Sequence, residues 1–549
     1  MERNVVSYFH IRDSFQKGRY AAVKELKLEE LTVRQKLGLT MTALMSSTSE
    51  ENVEYILEMI RNHALGAVWI NWPAKNKNEL LAKVKEAADY PILVMCDAEG
   101  GMSNLRIGKH NAIGCADKEE LAYAFGKVIG VTARKLGYNT ICDPILDIVG
   151  GNALCGATIR SVGSDKYRVT ELSRAEARGF HDSGILTVAK HYPGEAETDL
   201  IYDSHMAEVS SEMTEEELLD KNLYPYLELS KDGLLDGIMT KHARFNKIDP
   251  DYPASLSSKM INLIRDRGFD GFTITDALTM MGVVAKFGKK NIVGLSIANG
   301  NDLSLPYGNN HKEAYEYLCE FYDAGKLPDW RLDEAVSRVL AAQHKTLAEP
   351  VHTSLSPEDH AAFKRLNTDT TFAYTDEGTP VALGKDKKHL FVILTETPVD
   401  ISRRDEVVVD TLDKDWYHVM SIVEKLQNFY PDCGATTVSI LPAPAETKDL
   451  LAKSLEYDDL VFITFFNSTA YIGRECFTSR VISIMEALQV TDKISTVVHF
   501  GNPYVLEDIP HVSRVIVGTT GADNMVPTFE VLAGEREPLG VPTYKIKLK

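Results

Sequence analysis

The sequence lacks the long apolar stretch that a membrane-spanning helix requires. No segment of its 549 residues reaches about 18 consecutive apolar residues, the minimum for a span. The N-terminus also lacks the apolar core of a signal peptide, because Glu2, Arg3, Arg12 and Asp13 interrupt it. We therefore expect a protein with no membrane segment and no secretion signal, located in the cytoplasm.

Cysteine is scarce, and its seven copies form no pattern. They are dispersed, odd in number and include no Cys-x-x-Cys pair: Cys96, Cys115, Cys142, Cys155, Cys319, Cys433 and Cys476. Disulfide frameworks and zinc clusters both need more regular spacing. Histidines and acidic residues likewise lack tight ligand spacing such as His-x-x-x-His. The sequence therefore predicts free thiols in a reducing compartment, no metal and no cofactor.

Positive charge is in deficit. Lys and Arg total 60 against 79 Asp and Glu, so the formal net charge is −19 at pH 7. A chain this acidic is repelled by nucleic acid and by anionic membrane surfaces, and we expect neither as a partner. Apolar residues make up 44% and charged residues 25%, which is the balance of folded domains with ordinary cores. A chain of this length is expected to form about two or three domains.

Short β-rich runs alternate with helical stretches in the N-terminal part of the chain. The runs are Leu37–Met45, Gly66–Trp72, Pro91–Asp97, Tyr138–Asp143, Gly184–Lys190, Gly237–His242, Gly271–Asp276 and Asp302–Pro306. Several are continuously apolar, as expected for parallel strands that are buried on both faces. Ser257 is expected to cap one of the intervening helices and Gly268 to end it. Eight such units predict a TIM-like (β/α)8 barrel, with an open doubly wound sheet as the alternative.

The pattern changes after a helix that is predicted over RLDEAVSRVLAAQHK (331–345). Residues 346–357 contain two prolines and mixed polar residues, which is typical of a linker. Further strand-like runs follow at His389–Leu394, Thr436–Leu441, Leu460–Phe465, Thr496–Phe500 and Val515–Val517. We predict a helical lead-in over 1–24, a catalytic barrel over 25–345, a linker over 346–357 and a three-layer α/β/α sandwich domain over 358–549.

Polar side chains gather where the predicted barrel strands end. They are Asp97, Glu99, Asp143, Lys190, His191, Lys241, His242 and Asp276, and Asp302 marks the eighth strand. A lone Asp at such a place is commonly a helix cap, but capping does not explain convergence at six strand ends. In a barrel the carboxyl ends of the strands carry the chemistry. These residue types suit glycosyl transfer, which needs a carboxylate nucleophile and a proton donor, or an aldolase that forms a Schiff base on Lys190.

The motifs at these residues resemble glycoside hydrolase family 3, particularly its β-N-acetylglucosaminidase branch. KHxPG together with TDALxMxG is the most specific part. The matching stretches follow the family's order along nearly the whole chain: CDAEGG (96–101), DPILDI (143–148), IRSVGSD (159–165), AKHYPG (189–194), DSH (203–205), GIMTKH (237–242), GFTITDALTMMG (271–282) and HFGNPYVLEDIP (499–510). The resemblance implies a retaining, exo-acting β-glycosidase. It would release terminal β-linked N-acetylglucosamine from a small glycoside or oligosaccharide without a cofactor.

The resemblance also implies a role for each matching residue. Asp276 matches the catalytic nucleophile. Asp203 and His205 match an Asp–His dyad on a mobile loop, in which His is the general acid/base and Asp orients it. An imidazole suits both proton transfers near neutral pH. The residues that match the family's substrate-binding positions are Asp97, Arg160, Lys190, His191 and His242.

The loop after the fifth predicted strand departs from the pattern of the branch. The branch reads KHxPGHGDT, whereas residues 190–198 read KHYPGEAET, and two extra residues precede Asp203. Glu195 or Glu197 is therefore an alternative acid/base. The alternative functions are a β-glucosidase or xylosidase, a glycoside phosphorylase and, in a different class, a catalytically degenerate sugar-binding protein.

Overall fold

The structure is a computed structural model that describes residues 24–149, 159–194, 203–395, 419–466, 470–471 and 476–549. The predicted helical lead-in lies outside these ranges except for its last residue, and Glu195 and Glu197 lie outside them entirely. None of the helices within these ranges is long and apolar enough to cross a membrane.

The N-terminal part alternates strands and helices, as predicted. Its strands are β1 (Thr42–Leu44), β2 (Ala67–Trp69), β3 (Leu93–Cys96), β4 (Gly101–Met102), β5 (Leu105–Arg106), β6 (Thr140–Ile141), β7 (Leu186–Tyr192), β8 (Val209–Ser211), β9 (Gly237–Thr240), β10 (Ala243–Phe245) and β11 (Phe272–Thr275). Its helices are α1 (Val33–Leu39), α2 (Glu50–Arg61), α3 (Lys77–Ala87), α4 (Asn111–Ala116), α5 (Glu119–Leu136), α6 (Lys166–Asp182), α7 (Glu215–Asp220), α8 (Tyr224–Lys231), α9 (Ser258–Arg265), α10 (Met281–Phe287), α11 (Lys289–Ala298), α12 (His311–Asp323) and α13 (Asp329–Lys345).

The main sheet curls until its two edges meet. Its parallel strands follow the order β1-β2-β3-β6-β7-β9-β11. The predicted eighth strand is not a regular strand, since only isolated bridges link Leu303 to Ile274 and Ser304 to Met41. These bridges join the β11 edge to the β1 edge, so the domain is TIM-like and the open-sheet alternative is wrong.

The predicted strands differ from the observed ones at their ends, as β1 and β7 show. Helix α1 begins after a capping box of Thr32 and Gln35 and extends to Leu39, so β1 begins only at Thr42. Strand β7 continues to Tyr192, two residues beyond the predicted end at Lys190, so His191 lies inside the strand rather than after it. The prediction for α9 is confirmed: the Ser257 hydroxyl accepts the Met260 N–H, and Gly268, at φ +93°, follows the helix.

An apolar cluster fills the inside of the barrel. It takes alternate residues from the strands, such as Trp69, Met95 and Ile274, whereas the intervening Val68 and Val94 pack with the outer helices. This period of two is what a strand with two buried faces requires. Because the interior is packed, a substrate has to bind at an end of the barrel.

The C-terminal part forms a second, mostly parallel sheet. Its strands are β12 (Phe372–Thr375), β13 (His389–Thr395), β14 (Gly434–Ser439), β15 (Asp459–Phe466), β16 (Ile494–Gly501) and β17 (Arg514–Gly518), in the order β12-β17-β16-β15-β13-β14. Its helices are α14 (Pro357–Thr368), α15 (Val419–Phe429), α16 (Pro444–Ser454), α17 (Ser479–Gln489) and α18 (Ala522–Leu532). The prediction missed β12, a short antiparallel edge strand that is buried only in part.

Apolar residues cover both faces of this second sheet. Val392 of β13 packs in a cluster with residues of α16 and α17, and its neighbour Ile393 packs in another with residues of α15 and α18. Helix α14 instead packs on the barrel, where the Phe363 ring stacks on Phe125 of α5 with centroids 6.0 Å apart. The two parts of the chain are therefore in contact along α14.

Candidate active site

A network of charged side chains lies at the end of strands β3 and β7. We call it the charge cluster, and its members are Asp97, Glu99, Asp147, Arg160, Lys190 and His191. The Lys190 ammonium lies 2.5 Å from Oδ1 of Asp97 and 2.6 Å from Oε1 of Glu99. Arg160 donates to both oxygens of Glu99, from Nε at 2.7 Å and from Nη2 at 2.8 Å. The two cations are thus held side by side by a shared carboxylate.

His191 connects this ion pair to Asp147. Its Nδ1 lies 2.7 Å from Oδ2 of Asp147, and its Nε2 lies 3.0 Å from Nη2 of Arg160. Because a guanidinium can only donate, Nε2 must accept, and Nδ1 carries the proton that is donated to Asp147. One neutral tautomer of His191 is therefore selected. Glu99 and Asp147 received no role from the sequence, although both lie in the motifs CDAEGG and DPILDI.

Electrostatic interactions within the charge cluster keep Lys190 and Glu99 ionised. Burial lowers the pKa of Lys190, but Asp97 and Glu99 outweigh this effect and raise it well above its usual value. Burial raises the pKa of Glu99, but Arg160 and Lys190 hold it well below its usual range. Asp97 is the member that reaches open space, since 47% of its side chain is exposed against 1% for Lys190. It is therefore placed to contact a bound molecule.

Asp276 follows β11 directly. Its Oδ1 accepts the N–H of Ala277 at 2.7 Å. Burial raises the pKa of Asp276, but the electrostatic influence of the nearby rings of His191, His242 and His205, together with this hydrogen bond, outweighs burial and lowers that pKa to about 2. The group is ionised at ordinary pH, as a carboxylate nucleophile has to be.

His242 supports the turn that carries Asp276. Its Nδ1 lies 2.7 Å from the hydroxyl of Ser255, and its Nε2 lies 3.0 Å from the carbonyl oxygen of Ala277. The ring is fully buried, and burial lowers the pKa of His242, so the ring is neutral. Both ring nitrogens bond to protein groups, which suits a role in holding Asp276. Contact of His242 with a sugar hydroxyl stays a prediction.

Asp203 and His205 form a hydrogen-bonded pair, as the resemblance implies. Oδ1 of Asp203 accepts the backbone N–H of His205 at 2.9 Å and lies 2.6 Å from its ring Nδ1. The backbone of this segment is also tied to α10: Met281 donates to the His205 carbonyl at 3.0 Å, and Gly282 donates to that of Ser204 at 3.1 Å. The pair is therefore anchored to the segment that follows Asp276.

Gly282 makes this anchoring possible. A Cβ atom at Gly282 would lie 2.5 Å from the Ser204 carbonyl oxygen and 2.6 Å from that of Ala207. Both are backbone atoms, so a side chain would have to push the segment away. This close approach accounts for the glycine that ends TDALTMMG.

Tyr471, which comes after β15 in the C-terminal part, contacts both Asp203 and His205. Its backbone N–H donates to Oδ2 of Asp203 at 2.6 Å, and its ring centroid lies 4.9 Å from that of His205. Burial raises the pKa of Asp203, but the hydrogen bonds from His205 and Tyr471 lower it overall. The sequence carries no signal for this contact, because a backbone N–H makes it.

A buried group of three lies near the charge cluster. His110, Asp143 and Glu176 are fully buried, and their ligand-type atoms all lie within 4.8 Å of one another, an arrangement found nowhere else in the described residues. Nε2 of His110 lies 3.0 Å from Oε2 of Glu176. Burial raises the pKa of Asp143 to about 8; the pKa of His110 is raised to about 9 because Glu176 outweighs burial. A His110–Glu176 ion pair beside a protonated Asp143 is neutral without a metal.

Asp302 has a different environment from the other acidic residues at strand ends. It accepts hydrogen bonds from Arg265 at 2.6 Å and from Arg331 at 2.9 Å, and it is fully buried. It begins the eighth segment, so it lies at the opposite end of the barrel from Asp276. Its role is to bind helices α9 and α13 to the sheet.

The family assignment follows from a direct comparison. The family described as "Glycosyl hydrolase family 3 N terminal domain" matches residues 25–342. This match spans more than half of the chain, so the protein belongs to glycosyl hydrolase family 3 and is a glycoside hydrolase. The resemblance inferred from the motifs is confirmed.

Several curated relatives that are similar to the chain carry the name of a β-hexosaminidase or a β-N-acetylglucosaminidase. A "Beta-N-acetylglucosaminidase/beta-glucosidase" of Cellulomonas fimi is 24% identical over 538 residues, which cover 91% of each chain. A "Beta-hexosaminidase" of Tolumonas auensis is 28% identical over 266 residues, which cover 46% of this chain and 78% of the relative.

Solved structures share the fold along most of the chain. A family 3 β-N-acetylglucosaminidase from Paenibacillus superposes with a TM-score of 0.76 at 24% identity, and the match covers 94% of this chain and 100% of the other. The β-glucoside phosphorylase BglX, bound to 2FGlc, superposes with a TM-score of 0.76 at 20% identity, with 94% and 95% covered. At these identities the likeness concerns the fold alone.

Proposed function

We propose that the protein is a retaining, exo-acting β-N-acetylglucosaminidase with Asp276 as its nucleophile and Asp203–His205 as its acid/base dyad. The observation that carries the proposal is the dyad itself. Its two side chains are 2.6 Å apart, and backbone hydrogen bonds tie it to the segment after Asp276. These ties support a proton donor that acts together with an ionised carboxylate, the two groups that glycosidic cleavage needs.

In the first step the Asp276 carboxylate attacks the anomeric carbon and the glycosidic C–O bond breaks. His205, protonated at Nε2, gives its proton to the departing oxygen, so the aglycone leaves as an alcohol. Nε2 has this role because Nδ1 is held by Asp203. The product is a covalent glycosyl-enzyme ester on Asp276 and a neutral imidazole on His205.

In the second step the same imidazole accepts a proton from water. The water oxygen attacks the anomeric carbon and the bond to Asp276 breaks, which restores the carboxylate and the protonated histidine. Two displacements at one carbon retain the anomeric configuration. Asp203 stays ionised throughout, because its two oxygens accept hydrogen bonds from His205 and Tyr471.

The charge cluster is proposed to hold the terminal sugar. Asp97 is its exposed member and would accept hydrogen bonds from sugar hydroxyls, while Arg160, Lys190 and His191 would position it or donate to hydroxyls themselves. Charge-assisted hydrogen bonds are stronger than neutral ones and fix the orientation of a ring. We also propose that the second sheet, with helices on both faces, is a separate sandwich domain that begins near residue 358.

A panel of nitrophenyl glycosides, assayed with and without phosphate, tests the proposal. We expect the N-acetyl-β-glucosaminide to be cleaved faster than the β-glucoside and the β-xyloside. Phosphate should have no effect, and the first-formed sugar should be the β-anomer by NMR. Formation of a sugar 1-phosphate would show a phosphorylase instead. Sugar binding without turnover would show a degenerate binding protein.

A further inference from the structure

A residue from the C-terminal part of the chain contacts the acid/base dyad from two directions. The N–H of Tyr471 lies 2.6 Å from Oδ2 of Asp203, a residue 268 positions away in the sequence. The Tyr471 ring packs against the imidazole of His205, with centroids 4.9 Å apart and planes tilted by 57°. Backbone and side chain of one residue therefore contact both members of the dyad.

The two carboxylate oxygens of Asp203 have separate partners. Oδ1 accepts the backbone N–H of His205 and contacts its ring Nδ1, whereas Oδ2 accepts the backbone N–H of Tyr471. Asp203 is buried, so a lost hydrogen bond would not be replaced readily by water. With both oxygens engaged, the carboxylate plane is set, and so is the direction in which Nδ1 of His205 is held.

The backbone at Tyr471 is unusual for a bulky residue. Its φ is +71°, a left-handed conformation that glycine adopts freely and aromatic residues adopt rarely. A glycine would supply the same N–H with less strain. In this conformation Tyr471 places its N–H on Asp203 and its ring on His205, a combination that glycine could not supply.

We propose that Tyr471 is a positioning residue for the acid/base dyad. Its N–H fixes Asp203, and its ring holds one face of the His205 imidazole, so that Nε2 keeps one direction during proton transfer. The C-terminal part of the chain thereby sets the geometry of chemistry that takes place in the barrel. This inference rests on the proposed function, because it assigns a supporting residue to the same dyad.

A positioning role for Tyr471 predicts a dependence on the leaving group that a purely structural contact would not produce. Loss of the ring should slow only those steps in which His205 moves a proton, namely departure of an alcohol and attack of water. Substrates whose leaving group needs no proton should be cleaved to the glycosyl-enzyme at nearly the normal rate. The substitution should be tolerated by the fold, because 61% of Tyr471 is exposed.

The experiment compares Tyr471→Ala with Tyr471→Phe in the full-length protein. Both keep the backbone N–H, and only the first removes the ring. General acid/base catalysis contributes roughly 10²- to 10⁴-fold, and misplacing its donor should forfeit part of that, so we expect Tyr471→Ala to lose about 10-fold in kcat/KM on an N,N′-diacetylchitobiose substrate. On an activated dinitrophenyl glycoside its kcat/KM should change less than about 3-fold, and azide should raise its kcat. Tyr471→Phe should behave as the unaltered protein in all three assays.

His205→Ala, measured alongside, separates the two levels of inference. If His205→Ala shows the dependence on the leaving group and the azide rescue but Tyr471→Ala does not, the positioning role is overturned and the proposed function stands. Equal losses of Tyr471→Ala on both substrates would also overturn it, because they indicate a structural role. If His205→Ala itself lacks the pattern, the acid/base assignment fails, and the role of Tyr471 fails with it.

Discussion

Lys190 and His205 belong to one site but are held by different means. Lys190 sits inside strand β7 with 1% of its side chain exposed, and two carboxylates pair with it. His205 sits in a turn outside the strands with 26% exposed, and a single carboxylate and the ring of Tyr471 hold it. The charge cluster thus depends on the barrel sheet, whereas the dyad depends on contacts between segments that are distant in the sequence.

This difference matches what each group is proposed to do. A residue that orients a sugar works best when buried ion pairs fix it. A residue that gives a proton to one molecule and takes it from another works on a segment that can adjust between the two steps. Damage to the charge cluster should therefore affect all substrates alike, and damage to the dyad should depend on the leaving group.

The largest effect is expected for Asp276→Asn, because the charge cluster and the dyad both act on the sugar that Asp276 is proposed to attack. The amide keeps the shape but cannot attack the anomeric carbon, so turnover of every glycoside should fall by several orders of magnitude. A fluorinated N-acetylglucosaminyl probe should label Asp276 in the unaltered protein, as peptide mass spectrometry would show. Asp270→Asn, at the exposed amino end of the same strand, is the control and should be inert. Label on another residue would reject the assignment.

His205→Ala should separate the two regions most clearly. On a chitobiose substrate we expect a loss of about 10³-fold, within the usual contribution of acid/base catalysis, and a much smaller loss on a dinitrophenyl glycoside. Azide should rescue the second step, because an anion attacks without a general base. His511→Ala removes an exposed histidine paired with Asp376 at 3.0 Å and should change neither rate. Equal losses on both substrates would remove the distinction between the regions.

Glu99→Gln should damage the charge cluster without regard to the leaving group. It removes the carboxylate that Arg160 and Lys190 share, so both cations lose part of their fixed position. A displacement of about 1 Å can cost roughly 10²-fold in rate, and we expect that loss in kcat/KM on activated and unactivated glycosides alike. Glu171→Gln, which breaks an exposed pair with Arg168, is the matched control. A loss confined to unactivated substrates would contradict this expectation.

The sequence predicts the charge cluster better than the dyad, for a physical reason. Barrel strands are apolar, so their polar ends stand out, and Asp97, Lys190 and Asp276 could be singled out as site candidates from the strand pattern alone. Glu99 was found in the same way, since it follows the third strand by three residues, but the pattern assigned it no role. Asp147 lies in a motif but outside a strand end, and its bond to His191 depends on the folded geometry.

Contacts made by the backbone are absent from such patterns. Tyr471 reaches Asp203 through its N–H, and any residue type has one. The eighth strand was predicted from its apolar residues, but it forms only isolated bridges, at Leu303 and Ser304. In both cases the amino-acid type sets what can be buried, and the tertiary fold sets which backbone groups pair.

Gly282→Ala should give a smaller loss of activity that depends on the leaving group, as expected for damage to the Asp203–His205 dyad. Alanine favours a helix more than glycine does, so propensity alone predicts a gain in stability. The added Cβ would instead press on the Ser204 and Ala207 carbonyls and displace the segment that carries His205. We expect kcat/KM on a chitobiose substrate to fall by roughly 10-fold, which is less than the roughly 10²-fold loss of rate that a 1 Å displacement can cause. On a dinitrophenyl glycoside kcat/KM should fall little. Gly308→Ala, whose Cβ would meet its nearest atom at 3.9 Å, is the control. Unchanged kinetics would show that the segment adapts.

The smallest effect is expected for Asp143→Asn, which tests the support of the charge cluster. Asp143 lies near Lys190, and burial raises the pKa of Asp143 to about 8. A carboxyl group whose pKa is higher in the folded than in the unfolded protein loses stability as pH rises, here from about 4 to 8. Asparagine cannot ionise, so the stability of the variant relative to the unaltered protein should rise between pH 5 and pH 8.5, by about 1 kcal/mol or more in thermal unfolding.

Glu176→Gln is the contrasting variant for this measurement. It leaves the buried His110 without its ion-pair partner and should be destabilising at both pH values. If the variant gains no stability relative to the unaltered protein as the pH rises, the pKa of Asp143 is not raised in the folded protein and a cation compensates its carboxylate. Metal analysis of the unaltered protein would then test whether His110, Asp143 and Glu176 bind a divalent ion that supplies this charge. Without such an ion, His110 and Lys190 are the cations that have to compensate the buried carboxylates of Asp143 and Glu176, since a buried charge needs a partner.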